Sequence, residues 1–424
     1  MTHFSRIVFV GLCLFTIITK AFALEKPVLT VYEDSNKIAG IEQAARDFAS
    51  LYECTVNIEP KSAEEQMSLV RNAQEKNYPV PDVFVGLSED AKTAIKDQVI
   101  EPLDFMNSDR QFYTSSSLAP FEVDSKIYAS PRSVETSIVF YNKKLLLNKP
   151  KTLSDYRELY KEDKKIYPII GLLNKFYYGF GFLNAYGAYL MDEKNSNSPV
   201  GLNKSDAKEG FKALIEYTKK YMPVEDLDKG QQYLDKLFIS DKALSVINGS
   251  YAYAKYKKSG IDVGCLMLPV LDNFQRMSAF YKVKAYMIPK NSRHKDLAQK
   301  FIRFINQPEY AFKRYLICGD VVPENELFLT FSYLNDEYAL TVLKQCEYSY
   351  PMPDQKFMAD IWGPANAAFV KSFENAESSD ENLDECVNEI ELIRYERHMK
   401  GDEAYKTSKK LQINTKNCQH LNNK

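Results

Sequence analysis

One carboxylate, Glu135, is planted in the stretch SPRSVETSIVFYNKKLL (Ser130–Leu146), between a proline turn and the apolar run Ile138, Val139, Phe140 and Tyr141. A charge there is paired, solvated, or aimed at something that arrives from outside, because an isolated ionised carboxylate is costly in apolar surroundings. The chemistry open to it is that of an acceptor, taking two hydrogen bonds from hydroxyl or ammonium groups. With Glu89 it would also make a carboxylate pair, of the kind that glycosidases space about 5 to 9.5 Å apart. Little else favours an enzyme. The chain has no G-x-S-x-G elbow, no H-E-x-x-H, no Gly-rich phosphate loop and no CxxC. Its His294, His398 and His420 lie near no cysteine pair of zinc-ligand spacing. Neither a metal nor a cofactor is expected, and the reading is of a binder, not an enzyme.

The 424 residues are 45% hydrophobic and 26% charged, enough material for two globular lobes. A formal net charge of −2 with interspersed signs gives no electrostatic footprint for nucleic acid. The first residues read as an export signal: a basic start ending at Arg6, an apolar run from Ile7 to Ile18, and a small-x-small site at Ala21–Ala23, so the mature chain is expected to begin at Leu24 in the periplasm. A lipoprotein would need a cysteine at the cleavage point, and Cys13 lies inside the apolar run instead. Six cysteines remain, Cys54, Cys265, Cys318, Cys346, Cys386 and Cys418. Export permits disulfides. Cys386 with Cys418 and Cys318 with Cys346 are the pairings considered, against buried free thiols.

The N-terminal third alternates strand and helix. VLTVYE is strand-like, then Ile41, Ala44, Ala45, Phe48 and Leu51 share a helical face; CTVNIE is a second strand, a polar helix starts near Ser62, and PDVFVG leads into a helix capped by Ser88 with Glu89 and Asp90 in its first turn. That order implies a parallel sheet covered by helices. FEVDSKIYASPR reads as a hairpin. Further on come a helix capped by Thr152 or Ser154, a strand YPIIGLL, an aromatic helix YYGFGFLNAYGAYLM, and a helix SDAKEGFKALIEYTKKY with Phe211, Leu214, Ile215 and Tyr217 or Thr218 on one face. KALSVINGSYAYAKYKKSGIDVGCLMLPV reads as strand, turn at Asn248-Gly249, short helix and strand, and a helix after AFYKVKAYMIPK buries Leu297, Ala298, Phe301, Ile302 and Ile305. The expectation is an α/β chain of two lobes without a flexible linker.

Four stretches in this order, PDVFVG before a helix, IYASPRSVETSIVFYNKKLL followed by PKTLSDYREL, ALSVINGSYAY, and MIPKNSRHKDLAQKFIRFI, make the chain resemble the periplasmic solute-binding proteins of ABC importers, in the maltose-binding class, from Leu29 to Arg394. The resemblance implies a class II two-lobed periplasmic-binding-protein fold, each lobe a mostly parallel sheet flanked by helices, with three hinge crossings: Ser133–Thr136, Tyr281–Lys284, and after CGDVVPENE. Residues 24–133 and 285–330 would form the N-terminal lobe, 134–284 and 331–400 the C-terminal lobe, and 401–424 a polar tail. A monomer would close on a small solute, expected to be a sugar or oligosaccharide, and hand it to the permease subunits in the membrane; a membrane sensor is the other partner such closure would serve.

Carried over residue by residue, the resemblance places Asp34, Asn36 and Lys37 in the loop after the first strand, Glu89 and Asp90 at a helix start, and Glu135 on the first hinge strand facing the cleft. Glu135 would meet the ligand, or pair with Lys282 or Lys284. Tyr177, Tyr251 and Trp362 would be stacking platforms, against a plain core role, and Asn366 stands where the family has an arginine. Asp90 reverses a family arginine, and Gly86 replaces a tryptophan platform. Rings pack on the apolar faces of pyranoses, and carboxylates with Lys37 and Asn36 would serve the hydroxyl rim. The same carboxylates would suit a polyamine, which is the alternative ligand.

Overall fold

The structure is a computed structural model describing residues 26–161, 166–191, 200–397 and 399. The export segment, the cleavage site, Cys418 and the tail therefore lie outside the described residues. Ten strands occur among those described: β1 (Val28–Asp34), β2 (Thr55–Lys61), β3 (Phe84–Leu87), the hairpin β4 (Glu122–Val123) and β5 (Lys126–Ile127), β6 (Ser130–Asn142), β7 (Ser245–Gly249), β8 (Val263–Leu266), β9 (Phe280–Met287) and β10 (Tyr350–Pro351).

The long strand β6 organises the molecule because it changes partners. Ser130–Thr136 pairs with β9, Ser137–Tyr141 with β7, and Val139–Asn142 with β8, all antiparallel. A register shift between Pro131 and Ser133 marks the start, where proline has no N–H to give the ladder. Strand β9 likewise pairs with β3 at its end and with β10 at Phe280–Tyr281. Beyond these lie the parallel parts: β1 with β2, the bridge Val31 to Val83, and the bridges Tyr167 to Ala243 and Ile170 to Val246. The sheets are thus parallel at their outer strands, where helices make the return. They are antiparallel along β6 and where β9 meets β6 and β3, with only the short β10 joining β9 in parallel.

Helix faces follow the apolar periodicity with local exceptions. The Glu42–Leu51 helix buries Ala44, Ala45 and Phe48, but Leu51, at its last position, is 65% exposed. The Lys295–Ile305 helix buries Ala298, Phe301, Ile302 and Ile305. The Ser205–Tyr221 helix buries Phe211, Leu214, Ile215, Tyr217 and Thr218. Thr152 caps its helix reciprocally with Asp155. Ser88 does not cap the Ser88–Lys96 helix; its Oγ accepts the Val283 amide at 3.1 Å and so ties the helix start to β9. YPIIGLL makes only the two bridges at Tyr167 and Ile170, and the aromatic helix stops at Ala185.

Three apolar clusters result. One lies under β1 and the Lys295–Ile305 helix, one around Phe176, Phe180, Phe369 and Val139, and a third runs through the crossing strands from Phe84 and Val283 to Phe140 and Tyr256. The continuity of the third cluster makes β6 and β9 a stiff spine and not a linker. Cys54, Cys265, Cys318, Cys346 and Cys386 are all unbridged. The pairing of Cys318 with Cys346 fails because Cys346 is buried at the end of the Glu337–Cys346 helix, whereas Cys318 Sγ points at the carbonyl of Lys37.

Candidate functional site

Glu135 and Lys282 stand opposite each other on β6 and β9, and Lys284 is two residues further along β9. The period-2 geometry of strands puts all three on one face. Lys284 Nζ lies 3.3 Å from Glu135 and 3.5 Å from Asp34 at the end of β1. Lys282 Nζ donates to Glu89 at 2.5 Å. Glu89 is in the first turn of its helix, where the exposed N–H groups favour a carboxylate. Burial works against the Lys284 charge, but Glu135 and Asp34 more than offset it and raise the ammonium above the usual lysine range. The carboxylate in the apolar strand is thus a paired one. It remains 29% exposed.

Beside this charged floor lies a cavity of about 440 Å³, lined by Lys37, Glu135, Tyr251, Tyr253, Asp320 and Tyr338 among others. Asn248 and Gly249 do not form the expected turn but end strand β7, paired with β6, and Tyr251 follows directly; Asn248 pins this end by accepting the Gly249 amide and donating to Tyr256 and Asp235. On the other flank Tyr177 packs against Phe280 at 5.7 Å and Trp362 at 6.3 Å. Burial, then the nearby Tyr251, Glu135 and Glu89, push the Tyr177 phenol well up, keeping it a neutral hydrogen-bond donor beside those carboxylates. Trp362 is half-buried and also meets Phe176 edge-on at 5.8 Å.

The structure therefore brings together Asp34, Lys37, Glu89, Glu135, Tyr177, Tyr251 and Trp362. It leaves three expected residues apart. Asn36 is exposed in the turn after β1. Asn366 is exposed and donates its amide to the Trp362 carbonyl one turn back in the same helix, at 2.8 Å. Asp90 lines a separate cavity of about 230 Å³ with Glu64, Arg71, Thr93, Asp354 and Lys356. There burial, with Glu89 and Asp354 nearby, pushes its carboxyl up to about 6. At the same place Thr93 donates to Asp354 at 2.8 Å, joining the two sides of the molecule.

Gly86 is not a vacant platform. It is buried in β3, and a Cβ there would sit 2.5 Å from Met287 Sδ, so the position is interior and packed against that side chain. Lys282 and Lys284, expected only as partners for Glu135, are shared among three carboxylates, Asp34, Glu89 and Glu135. Their signal is the alternation in YKVKAY, a charged residue at every second place of a central strand. Asp320 was missed altogether. Such a set of fixed donors, acceptors and rings can grip a polar molecule; among the described residues no cluster of His, Cys, Asp and Glu could hold a metal ion.

Two lobes joined by shared strands, with a charged and aromatic floor between them, define a binding protein. The sequence profile of the bacterial extracellular solute-binding proteins matches residues 43–326, and the chain belongs to that family, whose members bind solutes and are not enzymes. It is 29% identical over 80% of its length to the galactooligosaccharide-binding protein of Bacillus subtilis, covering 83% of that protein. Against the maltodextrin-binding protein MdxE of the same organism the identity is 25% over 88% of this chain and 92% of the other. Among solved structures, the maltose-binding periplasmic protein MalE of Listeria monocytogenes in complex with maltose superposes with a TM-score of 0.79, at 23% identity, over 86% of this chain and 97% of that one. A cyclo/maltodextrin-binding protein complexed with maltotetraose gives 0.77 at 22% identity, over 87% and 98%. The chain has the two-lobed fold of these proteins.

Proposed function

We propose that this chain captures a neutral oligosaccharide between its lobes and delivers it, as a monomer, to an ABC permease. The observation that carries the reading is that every carboxylate of the floor has an ammonium donor beside it, with three carboxylates sharing two lysines. Asp34, Glu89 and Glu135 each face a lysine, Lys284 or Lys282, and Lys37 faces Asp320. A polyamine needs several uncompensated carboxylates and would find a single surplus charge here, whereas a sugar hydroxyl needs donors and acceptors side by side, which ion pairs supply. Tyr177, Tyr251 and Trp362 add rings for the apolar faces of the sugar.

Residues 24–133 and 285–330 make one lobe in this reading, and 134–284 and 331–400 the other. Sugar contacts to both would favour the closed form, and the permease would reopen it. The leader ending at Ala23 would export the chain. Calorimetric titration of the mature protein with neutral oligosaccharides and with putrescine and spermidine tests the proposal. Saturable uptake of a sugar, recovered intact, is expected. Uptake of a polyamine in preference to every sugar, or turnover of a sugar, overturns it.

A further inference from the structure

We propose that Asp320 is a positioning residue for the cleft, holding the Lys37 ammonium against the wall of the 440 Å³ cavity. Lys37 Nζ lies 2.9 Å from Asp320 Oδ1 and donates to the Cys318 carbonyl at 2.6 Å. The backbone is clasped as well: Cys318 Sγ approaches the Lys37 carbonyl at 3.6 Å, and Gly40 makes room for it, since a Cβ there would lie 2.6 Å from that sulfur. Gly319, in the left-handed region at φ 72°, ends the Pro308–Cys318 helix and turns the chain so that Asp320 faces back toward Lys37.

Behind Asp320 stands Arg132, wholly buried, whose Nη2 is 2.9 Å from Asp320 Oδ2 and 3.1 Å from Glu33 Oε1. Burial alone would raise the Asp320 carboxyl, but Arg132 and Lys37 hold it below the usual range. Asp320 is thus a fixed anion, one oxygen turned inward to Arg132 and the other outward to Lys37. The lysine that faces the solute is aimed by a residue nearly three hundred positions away in sequence.

Lysine acylation of the intact protein with N-hydroxysuccinimidyl acetate, read peptide by peptide by mass spectrometry, tests this without any ligand. Lys257 and Lys258 are exposed on the same cavity and serve as internal references. Lys37 should react roughly tenfold more slowly than either, the scale of one charge-assisted hydrogen bond. Asp320→Asn should speed Lys37 by about that factor and leave the other two unchanged. Equal rates in the wild type, an unaltered Lys37 in Asp320→Asn, or a uniform rise of all three lysines overturns the proposal.

A second arm rests on the oligosaccharide reading. Asp320→Asn and Lys37→Met should each weaken maltotriose binding, and the double variant should bind no more weakly than Lys37→Met alone, whereas additive losses overturn the positioning role. A wild-type chain that binds no oligosaccharide sinks the proposed function while the labelling ratio still decides the role of Asp320.

Discussion

Arg132 and Glu135 stand on the same strand, three residues apart, and each is ion-paired, yet the two pairs live in different media. Arg132, Glu33 and Asp320 are withdrawn from water, at 0%, 0% and 4% exposure. Tyr286 completes the group, accepting from Arg132 Nε at 3.2 Å and donating to Glu33 at 3.0 Å. Despite the cost of burying it, Arg132 is held well above the usual arginine range by Asp320 and Glu33. Glu135 keeps 29% of its side chain in solvent, although its partner Lys284 keeps only 11%. Ions that are fully desolvated become mutually indispensable, whereas half-solvated ions can exchange a partner for an incoming hydroxyl. One pair therefore fixes the spine, and the other is available to a solute.

The contrast is sharpest when each pair is broken. Arg132→Met leaves the buried Glu33 without its cation and Asp320 with Lys37 alone, and urea denaturation should show a loss of about 3–5 kcal/mol. Glu135→Gln removes a charge that water already half compensates, so stability should change by about 1 kcal/mol or less. Its effect belongs in binding: calorimetry with the bound oligosaccharide should show a loss of roughly 1.5–3 kcal/mol, about tenfold or more in affinity. Trp362→Ala should weaken binding on a similar scale while the protein still folds, because the ring is only half-buried. A Glu135 variant that unfolds, or an Arg132 variant that does not, would erase the distinction.

Much of the half-solvated set was legible because its signals are local. Glu135 stands out against an apolar strand, Trp362 is the sole tryptophan, and Lys282 and Lys284 alternate with Val283 in a readable period. The desolvated set was not legible. Arg132 sits in SPRSVE, which reads as a turn, and nothing in that stretch points to Glu33 or to Asp320. Charge pairing between segments distant in sequence is a property of topology, and periodicity carries no information about it. The same limit explains Gly86, whose interior position depends on Met287 of β9. Ser88 also escaped, because a serine before an apolar run looks like a cap whether or not a neighbouring strand takes its hydroxyl.

Asp90 lies between the two media and gives a pH test. Facing it are Glu89 on its own helix, Asp354 at the next, Arg71 opposite and Lys282 on β9, with burial as the largest influence on its carboxyl. Its folded value of about 6 exceeds the ordinary 3.8, so the folded state holds the proton more tightly than the unfolded. Below about pH 4 both states are protonated and Asp90 costs nothing; stability then falls as pH rises through the window from about 4 to about 6, and the penalty is complete above it. Solvent screening discounts that penalty to roughly 1 kcal/mol. The wild-type minus Asp90→Asn difference in unfolding free energy, measured from pH 4 to 7, should slope by that amount, and a flat difference would place Asp90 among the fully solvated groups.

Asn366 marks the far end of the scale. Family position makes it a ligand residue, but its geometry makes it a surface residue: it is exposed, and its amide is spent on the Trp362 carbonyl within its own helix. Replacing it by alanine removes a hydrogen bond that water replaces at once, on a helix whose apolar contacts come from Met358, Ile361, Ala365 and Phe369. Asn366→Ala should therefore shift stability and sugar affinity by less than about 0.5 kcal/mol each, measured by the same urea and calorimetric titrations. A tenfold loss of affinity with unchanged stability would mean that the bound state turns this side chain out of its helix and into the cleft, and that half-solvated groups on this wall are recruited by the solute itself.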